Sequence, residues 1–337
     1  MRGALVAGLL AGLAVSGCAT PVGGTAVAGL GAGGSASGRA SSQAAPPPLG
    51  AAEGLLGAFT SLDPCSLTDP RVFAEFGTAR FGVPDSLDDC LVEIRTSASA
   101  PVTVYVGSLD RAEAMPDLGA RKSTEVPGGL KVVEYAADPG YCNRLVVFAD
   151  GITLSVNASL YEGEEPRLCD IVRAGVDKAV SVLREGGVRH REVARNSLSW
   201  LDPCRLVPLD TLAAVPGLDR AIPRTYPARH GCAWTAADNA TRVRVMFTAG
   251  PPPKAAGRGA TEAPIAGRTS VLSPTPDAGQ YTFCGAQTGH IPFRAAGQTG
   301  LVEIAGVFVR MPKGQLDAAC RAATDVAAAL WPKLPKP

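Results

Sequence analysis

Eight of the nine cysteines fall into two sets of four, and the middle interval is the same in both. Cys65, Cys90, Cys142 and Cys169 stand 25, 52 and 27 positions apart; Cys204, Cys232, Cys284 and Cys320 stand 28, 52 and 36 apart. A spacing that recurs within one chain points to one domain present twice, with two disulfides in each copy. Eight cysteines allow 105 pairings, and confining pairs to one copy leaves nine. The expected set is Cys65–Cys90, Cys142–Cys169, Cys204–Cys232 and Cys284–Cys320. The first bridge of each copy would staple an N-terminal helix to the first strand. The second would tie a middle strand to the start of the last helix.

Other residues come into register when the cysteines are aligned. Leu62-Asp63-Pro64-Cys65 matches Leu201-Asp202-Pro203-Cys204, and Thr124-Glu125-Val126-Pro127 matches Thr261-Glu262-Ala263-Pro264. Asp138, Gly140, Tyr141 and Cys142 answer to Asp277, Gly279, Tyr281 and Cys284. The expected organisation is a first repeat over 55–185, a polar and basic joint over 186–199, and a second repeat over 200–332. After D-P-C each copy shows a short helix. In the first, Thr68 is the expected cap, Pro70 sits in the first turn, Phe73 and Phe76 face inward, and Gly77 ends it. In the second, Pro208 opens the helix, Leu212 and Val215 face inward, and Pro216 stops it.

Strand-like runs follow at Cys90–Arg95, Val102–Val106, Leu130–Tyr135, Arg144–Phe148 and Ile152–Val156. The second copy has them at Cys232–Thr235, Val243–Thr248, Thr269–Leu272, Ile291–Arg294 and Leu301–Arg310. Alternation and β-branching mark these as half-buried antiparallel strands. Amphipathic helices are expected over Cys169–Leu183, with Ile171, Val172, Val176, Val180 and Leu183 on one side, and over Gln315–Leu330. The fold class is therefore α+β: two tandem copies of a disulfide-stapled domain, each a mostly antiparallel sheet with helices on one face. Trp234, two residues past Cys232, is expected to pack beside that bridge.

The N-terminus carries an address. Arg2 precedes an apolar run from Ala4 to Val15, too short to span a bilayer and typical of a secretory signal. Val15-Ser16-Gly17-Cys18 resembles a bacterial lipobox, in which the cysteine begins the mature chain and carries the lipid. Residues 1–18 then form the signal peptide, and Cys18 is the lipidation site. Residues 19–54 are rich in Ala, Gly, Ser and Pro, the composition of a flexible tether. A G-x-G-x-x-G match at Gly29–Gly34 lacks the strand and helix that would let it bind phosphate.

D-P-C ahead of a short helix, Cys232-Ala233-Trp234 opening a strand, and a lipobox with a low-complexity tether together resemble the actinobacterial D-P-C-motif lipoproteins, a domain-of-unknown-function family. The resemblance covers roughly 55–335, as a duplication, with Val92 standing in the first copy where the second has Trp234. It brings no catalytic residues. Similar two-disulfide α+β modules serve as extracellular sensor domains of actinobacterial kinases, an analogy that implies ligand sensing.

Candidate chemistry is sparse. The cysteines are too far apart for the close pairs of zinc sites, and C-x-x-C is absent, so neither metal nor redox chemistry is expected. No cofactor is expected. His190 falls in the joint and should be solvated, His230 precedes a strand, and His290 sits in an expected turn before Ile291-Pro292. None has a histidine counterpart in the other copy. The repeated Thr-Glu pairs read as the start of a strand, with Pro127 and Pro264 setting a turn. Asp63 and Asp202 read as caps. Residues 51–195 carry 15 basic and 22 acidic side chains, a net −7, whereas 196–337 carry 15 and 9, a net +6. The copies could pack through complementary faces, or the basic copy, where Arg242 and Arg244 share a strand face, could meet an anionic envelope surface. Nucleic acid is excluded by the compartment. The expected protein is a lipid-anchored binding, sensing or interaction module on the extracytoplasmic face of the cell membrane, with a protein or envelope partner. The alternatives are a cell-envelope hydrolase, with one of His230, His290, Glu125 or Glu262 in a cleft, and a lipid carrier with a large apolar cavity.

Overall fold

Alternating apolar residues pair the strands of this chain into two antiparallel sheets, seven strands in each. The computed structural model describes residues 50–337 other than 98, 99, 116, 164, 166 and 296, and all of them belong to one compact unit. The first sheet contains β1 (Thr78–Phe81), β2 (Asp89–Arg95), β3 (Val102–Arg111), β4 (Ser123–Val126), β5 (Leu130–Glu134), β6 (Tyr141–Val147) and β7 (Ile152–Ser159). The second contains β8 (Arg224–Thr225), β9 (Gly231–Thr235), β10 (Arg242–Gly250), β11 (Thr261–Ile265), β12 (Arg268–Ala278), β13 (Tyr281–Ala295) and β14 (Gln298–Pro312). The orders are β1-β2-β3-β7-β6-β5-β4 and β8-β9-β10-β14-β13-β12-β11. Both sheets thus run through their first three strands in sequence and then take the remaining four in reverse.

Each sheet buries one face against a helix. The helices are α1 (Ala52–Leu56), α2 (Leu168–Glu185), α3 (Pro203–Leu206), α4 (Leu209–Ala213) and α5 (Leu316–Leu330). None of the described helices is long and apolar enough to cross a membrane. In β2 the side chains of Cys90, Val92 and Ile94 are buried and those between them are not, the period of a half-covered strand. Ile171, Val172, Val176, Val180 and Leu183 of α2 are all buried, at the helical spacing the sequence shows. Gly175 lets α2 come close to the sheet, since a Cβ there would lie 3.0 Å from the Val156 side chain. Gly186 ends the helix in the left-handed conformation that glycine adopts without strain. The face of α5 is built largely of alanine, with Ala319, Ala322, Ala323, Val326, Ala327 and Leu330 buried. Trp331 completes that core and donates from Nε1 to Ser270 Oγ at 3.0 Å.

Four disulfides join Cys65 to Cys90, Cys142 to Cys169, Cys204 to Cys232 and Cys284 to Cys320, the pairing expected from the spacing. They tie the 3₁₀ turn Pro64–Leu67 to β2, β6 to α2, α3 to β9, and β13 to α5. Both D-P-C aspartates are caps: Asp63 Oδ1 accepts from Cys65 N at 3.1 Å and Asp202 Oδ1 from Cys204 N at 3.0 Å. Trp234 is buried in the second core, opposite Val243.

Several local expectations are corrected. The segment after the first D-P-C is two 3₁₀ turns, and Asp69 rather than Thr68 caps the second by accepting from Arg71 N. Phe73 and Phe76 are buried as expected. Gly50–Gly54, the end of the expected tether, forms a turn and, with Leu55 and Leu56, α1, held by Ala52 N donating to Asp150 Oδ2 at 3.1 Å. Pro264 lies inside β11, which tolerates it because an edge strand leaves one side of its backbone unpaired. His290 lies within β13 rather than in a turn; a register shift between Gly289 and Pro292 lets the strand carry the proline. The signal peptide, Cys18, the G-x-G-x-x-G match and most of the tether lie outside the described residues.

Candidate functional site

The segment 186–199 is a hydrogen-bonded strap between the two sheets. Asp63 N donates to Arg189 O at 3.0 Å and Arg191 N to Ser61 O at 2.7 Å, so the strap pairs with the first D-P-C segment around a Leu62–His190 bridge. At its other end the buried carboxylate of Glu303 in β14 accepts from Ser197 Oγ at 2.5 Å and from Leu198 N at 2.7 Å. His290 Nε2 lies 2.7 Å from Asn196 O. A polar, basic sequence reads as a loose linker, but here its backbone donors and acceptors are used on both sides.

The loop before β2 clamps the halves together. Leu87 is 1% exposed and belongs to the apolar core of the second sheet, not the first. Its neighbour Asp88 places Oδ1 2.6 Å from Nδ1 of His230, which is itself 1% exposed. Nε2 of the same ring faces Ser199 O at 3.3 Å, so both ring nitrogens meet acceptors within the protein. Asp88 stands two residues before Cys90 and His230 two before Cys232. The tie therefore joins positions that stand the same distance before the second cysteine of each set. An Asp110–Arg224 ion pair is a second link between the acidic and basic halves.

Arg191 occupies the centre. It donates from a terminal nitrogen to Leu87 O at 3.0 Å and stands 5.4 Å over the Phe293 ring. Burial pushes its guanidinium below its usual range, opposed by the charges of Asp88, Asp63 and Glu303. Beside it opens a cleft of about 620 Å³, walled by Arg191, Glu192 and Asn196 of the strap and by Ile291, Phe293 and Arg294 of β13. A smaller cavity of about 140 Å³ shares Arg191, Phe293 and Arg294 and reaches Asp63, Phe81 and Pro84 of the first half. Guanidinium groups beside an aromatic ring suit a ligand with a carboxylate or phosphate next to an apolar or planar part.

Of the histidines, His230 is sealed into the junction, His290 is bound to a backbone carbonyl, and the exposed His190 lies 3.0 Å from Ser61 Oγ through Nδ1. Glu125 pairs with Lys131 at the surface, and Glu262 is exposed and accepts from Ala255 N. None of His230, His290, Glu125 and Glu262 lines either cavity. The larger cleft has charged walls, unlike a lipid-carrying cavity. The eight disulfide cysteines are structural, and among the described residues no cluster of potential metal ligands occurs. Sequence reasoning missed Arg191, Glu303, Asp88 and Asp89. Aligning the second cysteine of each set would have placed Asp88 against His230.

Asp89 has a measurable signature. Its Oδ2 accepts from Ser108 Oγ at 2.9 Å, while Oδ1 is buried without a donor. Burial, and then the charge of Asp88, push its carboxyl up to about 6, against the Ser108 hydrogen bonds. A carboxyl with a folded-state pKa above its unfolded value of about 3.9 favours folding at low pH. That contribution is lost as pH rises from about 4 through about 6 and amounts to roughly 2–3 kcal/mol. Asp89→Asn stays neutral, so the stability of wild type relative to this variant should fall by that amount between about pH 4 and pH 7. Urea unfolding at the two pH values measures it, and parallel pH profiles would refute the assignment.

No protein-family model matches the chain, and no curated protein matches it. Two solved structures align with it at 13% identity. One is DynU16, from the dynemicin biosynthetic locus, over 80% of this chain and 92% of that one with a TM-score of 0.15. The other is the di-domain ARO/CYC StfQ from the steffimycin biosynthetic pathway, over 80% and 89%, also with a TM-score of 0.15.

Proposed function

We propose that this chain is a lipid-anchored binding module on the extracytoplasmic face of a bacterial cell membrane, one of the D-P-C lipoproteins. It is built from two tandem copies of one domain and takes its ligand or partner in the cleft between them. The observation that carries the reading is the pair of cavities that share Arg191, Phe293 and Arg294, the smaller of which neither half could form alone. Strap residue Arg191 and second-half residues Phe293 and Arg294 line both, Glu192 lines the larger, and first-half residues Asp63 and Phe81 line the smaller. Duplication is supported by the common strand order, the paired cysteine spacings, and the Asp63 and Asp202 caps at matching positions. Four disulfides in a chain of this size fit an oxidising compartment, and the lipobox-like Val15-Ser16-Gly17-Cys18 supports anchoring at Cys18.

The test is native mass spectrometry of the protein extracted from its own membranes, compared with the same sample denatured. An extra mass that leaves on denaturation, and is lost in the Phe293→Ala and Arg294→Ala variants, is the expected result. A bare chain with no co-purifying small molecule or protein would sink the binding reading. A chain without lipid on Cys18 would sink the anchoring.

A further inference from the structure

The uncovered face of the second sheet carries a patch of arginines that the cleft does not involve. Strand pairing sets them in two adjacent rows. Thr235, Arg242, Arg310 and Phe283 follow one another across β9, β10, β14 and β13. Arg224, Ala233, Arg244, Phe308 and Gly285 form the next row, from β8 to β13. Val243 and Val245, which alternate with Arg242 and Arg244 on β10, are buried in the core, so the arginines stand on the opposite face. Gly285 and Gly306 keep this face low: a Cβ on either would come within 3.1 Å of the Phe308 ring, which lies over both.

Four cations gathered here repel one another unless something answers them. Arg224 has Asp110, and Arg310 spreads over the Tyr281 ring at 4.4 Å and donates to Asn239. Among the described side chains, Arg242 and Arg244 pair with no carboxylate, and Nε of Arg242, Arg244 and Arg310 is buried without an acceptor. Burial pushes the Arg242 guanidinium below its usual range, and the charges of Arg244, Arg224 and Arg310 push it further, with only Tyr226 opposing them. The shape matters as much as the charge. No arginine of the patch lines any of the described cavities. Apolar side chains stand exposed at its margin, Phe283 on the face itself and Ile222 two residues before Arg224. A small soluble ion on an open face gains little, because water competes for every guanidinium. A plane that repeats its charges, with an apolar layer beneath, satisfies the arginines and the exposed apolar groups together.

We infer that the outer face of the second sheet, through Arg242, Arg244, Arg310 and Arg224 with Phe283 and Ile222 at its edge, docks on the phosphodiester headgroups of an anionic membrane surface. The inference depends neither on the cleft nor on Cys18. An anchor would bring this face to the membrane, and the patch would then set how the body lies on it.

The full-length chain should be sedimented with neutral phosphatidylcholine vesicles and with vesicles containing phosphatidylglycerol. Binding to neutral vesicles reads any N-terminal anchor, so the ratio of the two partition coefficients isolates the patch. Arg242→Gln and Arg244→Gln should each lower that ratio about fivefold, the factor expected for one basic residue at an anionic surface, and about 25-fold together. Raising ionic strength should lower the wild-type ratio as the screening length shrinks from about 30 Å at 0.01 M to about 8 Å at 0.15 M. Each single variant carries the test should the double variant misfold. A wild-type ratio near one, or the same ratio in wild type and variants, would overturn the inference. So would inorganic phosphate abolishing the ratio at an ionic strength where chloride does not, which would mark a soluble-ion site instead.

Discussion

A chain carrying Cys284→Ala and Cys320→Ala should unfold with about 4 kcal/mol less free energy than the parent. The bridge closes a loop of 36 residues, the longest of the four, and in the chain-entropy model the penalty grows with loop length. The folded state adds a second reason. The buried face of α5 is mostly alanine, so the helix approaches β13 and β14 closely but each residue removes little apolar surface from water. Its docking leans on Val326, Leu330, Trp331 and the covalent tie. By contrast α2 buries Ile171, Val172, Val176, Val180 and Leu183, so losing Cys142–Cys169 should disturb its helix less. Urea unfolding followed by tryptophan fluorescence measures the first variant directly, because Trp200, Trp234 and Trp331 all lie beyond the strap. Far-ultraviolet circular dichroism allows the two variants to be ranked. A loss below about 1 kcal/mol for the Cys284/Cys320 variant, or the reverse ranking, would mean that packing alone seats α5.

The contrast between the two helices shows which parts of this protein can be read from residues and which cannot. Cysteine spacing carried the disulfide pairing, because each bridge joins elements that are near neighbours along the chain. The apolar period of α2 and the alternation in β2 and β10 were equally plain, since one covered face imposes a regular pattern. The long β13–β14 hairpin was harder. Its small residues Gly285, Ala286, Gly289 and Gly306 dilute the β-branched signal, and Gly285 and Gly306 are there because the Phe308 ring needs room above the sheet. The junction was the least legible. Arg191, Asp88, His230 and Glu303 are ordinary surface residue types in sequence, and the burial of His230 and Glu303 and the part-burial of Arg191 and Asp88 arise only when two sheets and a strap converge. Their contacts span more than 100 positions, apart from the His230 link to Ser199. Leu87 belonged to no strand pattern, so nothing local marked it as part of another half's core.

That placement makes Leu87 the side chain on which the coupling of the halves can be tested. Leu87→Ala should cost about 3–4 kcal/mol, the range for truncating a fully buried leucine whose surroundings cannot collapse. The surroundings here are held from several sides. Arg191 donates to the Leu87 carbonyl, Asp88 holds His230, and a Cβ on Gly250 would lie 3.1 Å from Pro84 O, so the clamp loop cannot sink to fill the space. The loss should fall on the second half, because Leu87 packs in its core and not in the core of the first. Amide exchange should therefore quicken in β9 and β10 while β5 and β6, at the far side of the first sheet, keep most of their protection. The fluorescence-detected unfolding midpoint should drop with it. Leu209→Ala serves as the control, since Leu209 is 74% exposed and its truncation should change stability by no more than about 0.5 kcal/mol. A Leu87→Ala effect as small as that control would show the clamp to be a surface contact. Equal loss of protection in both sheets would show instead that the halves unfold as one cooperative body, with the strap and the Asp88–His230 tie transmitting the defect across the cleft.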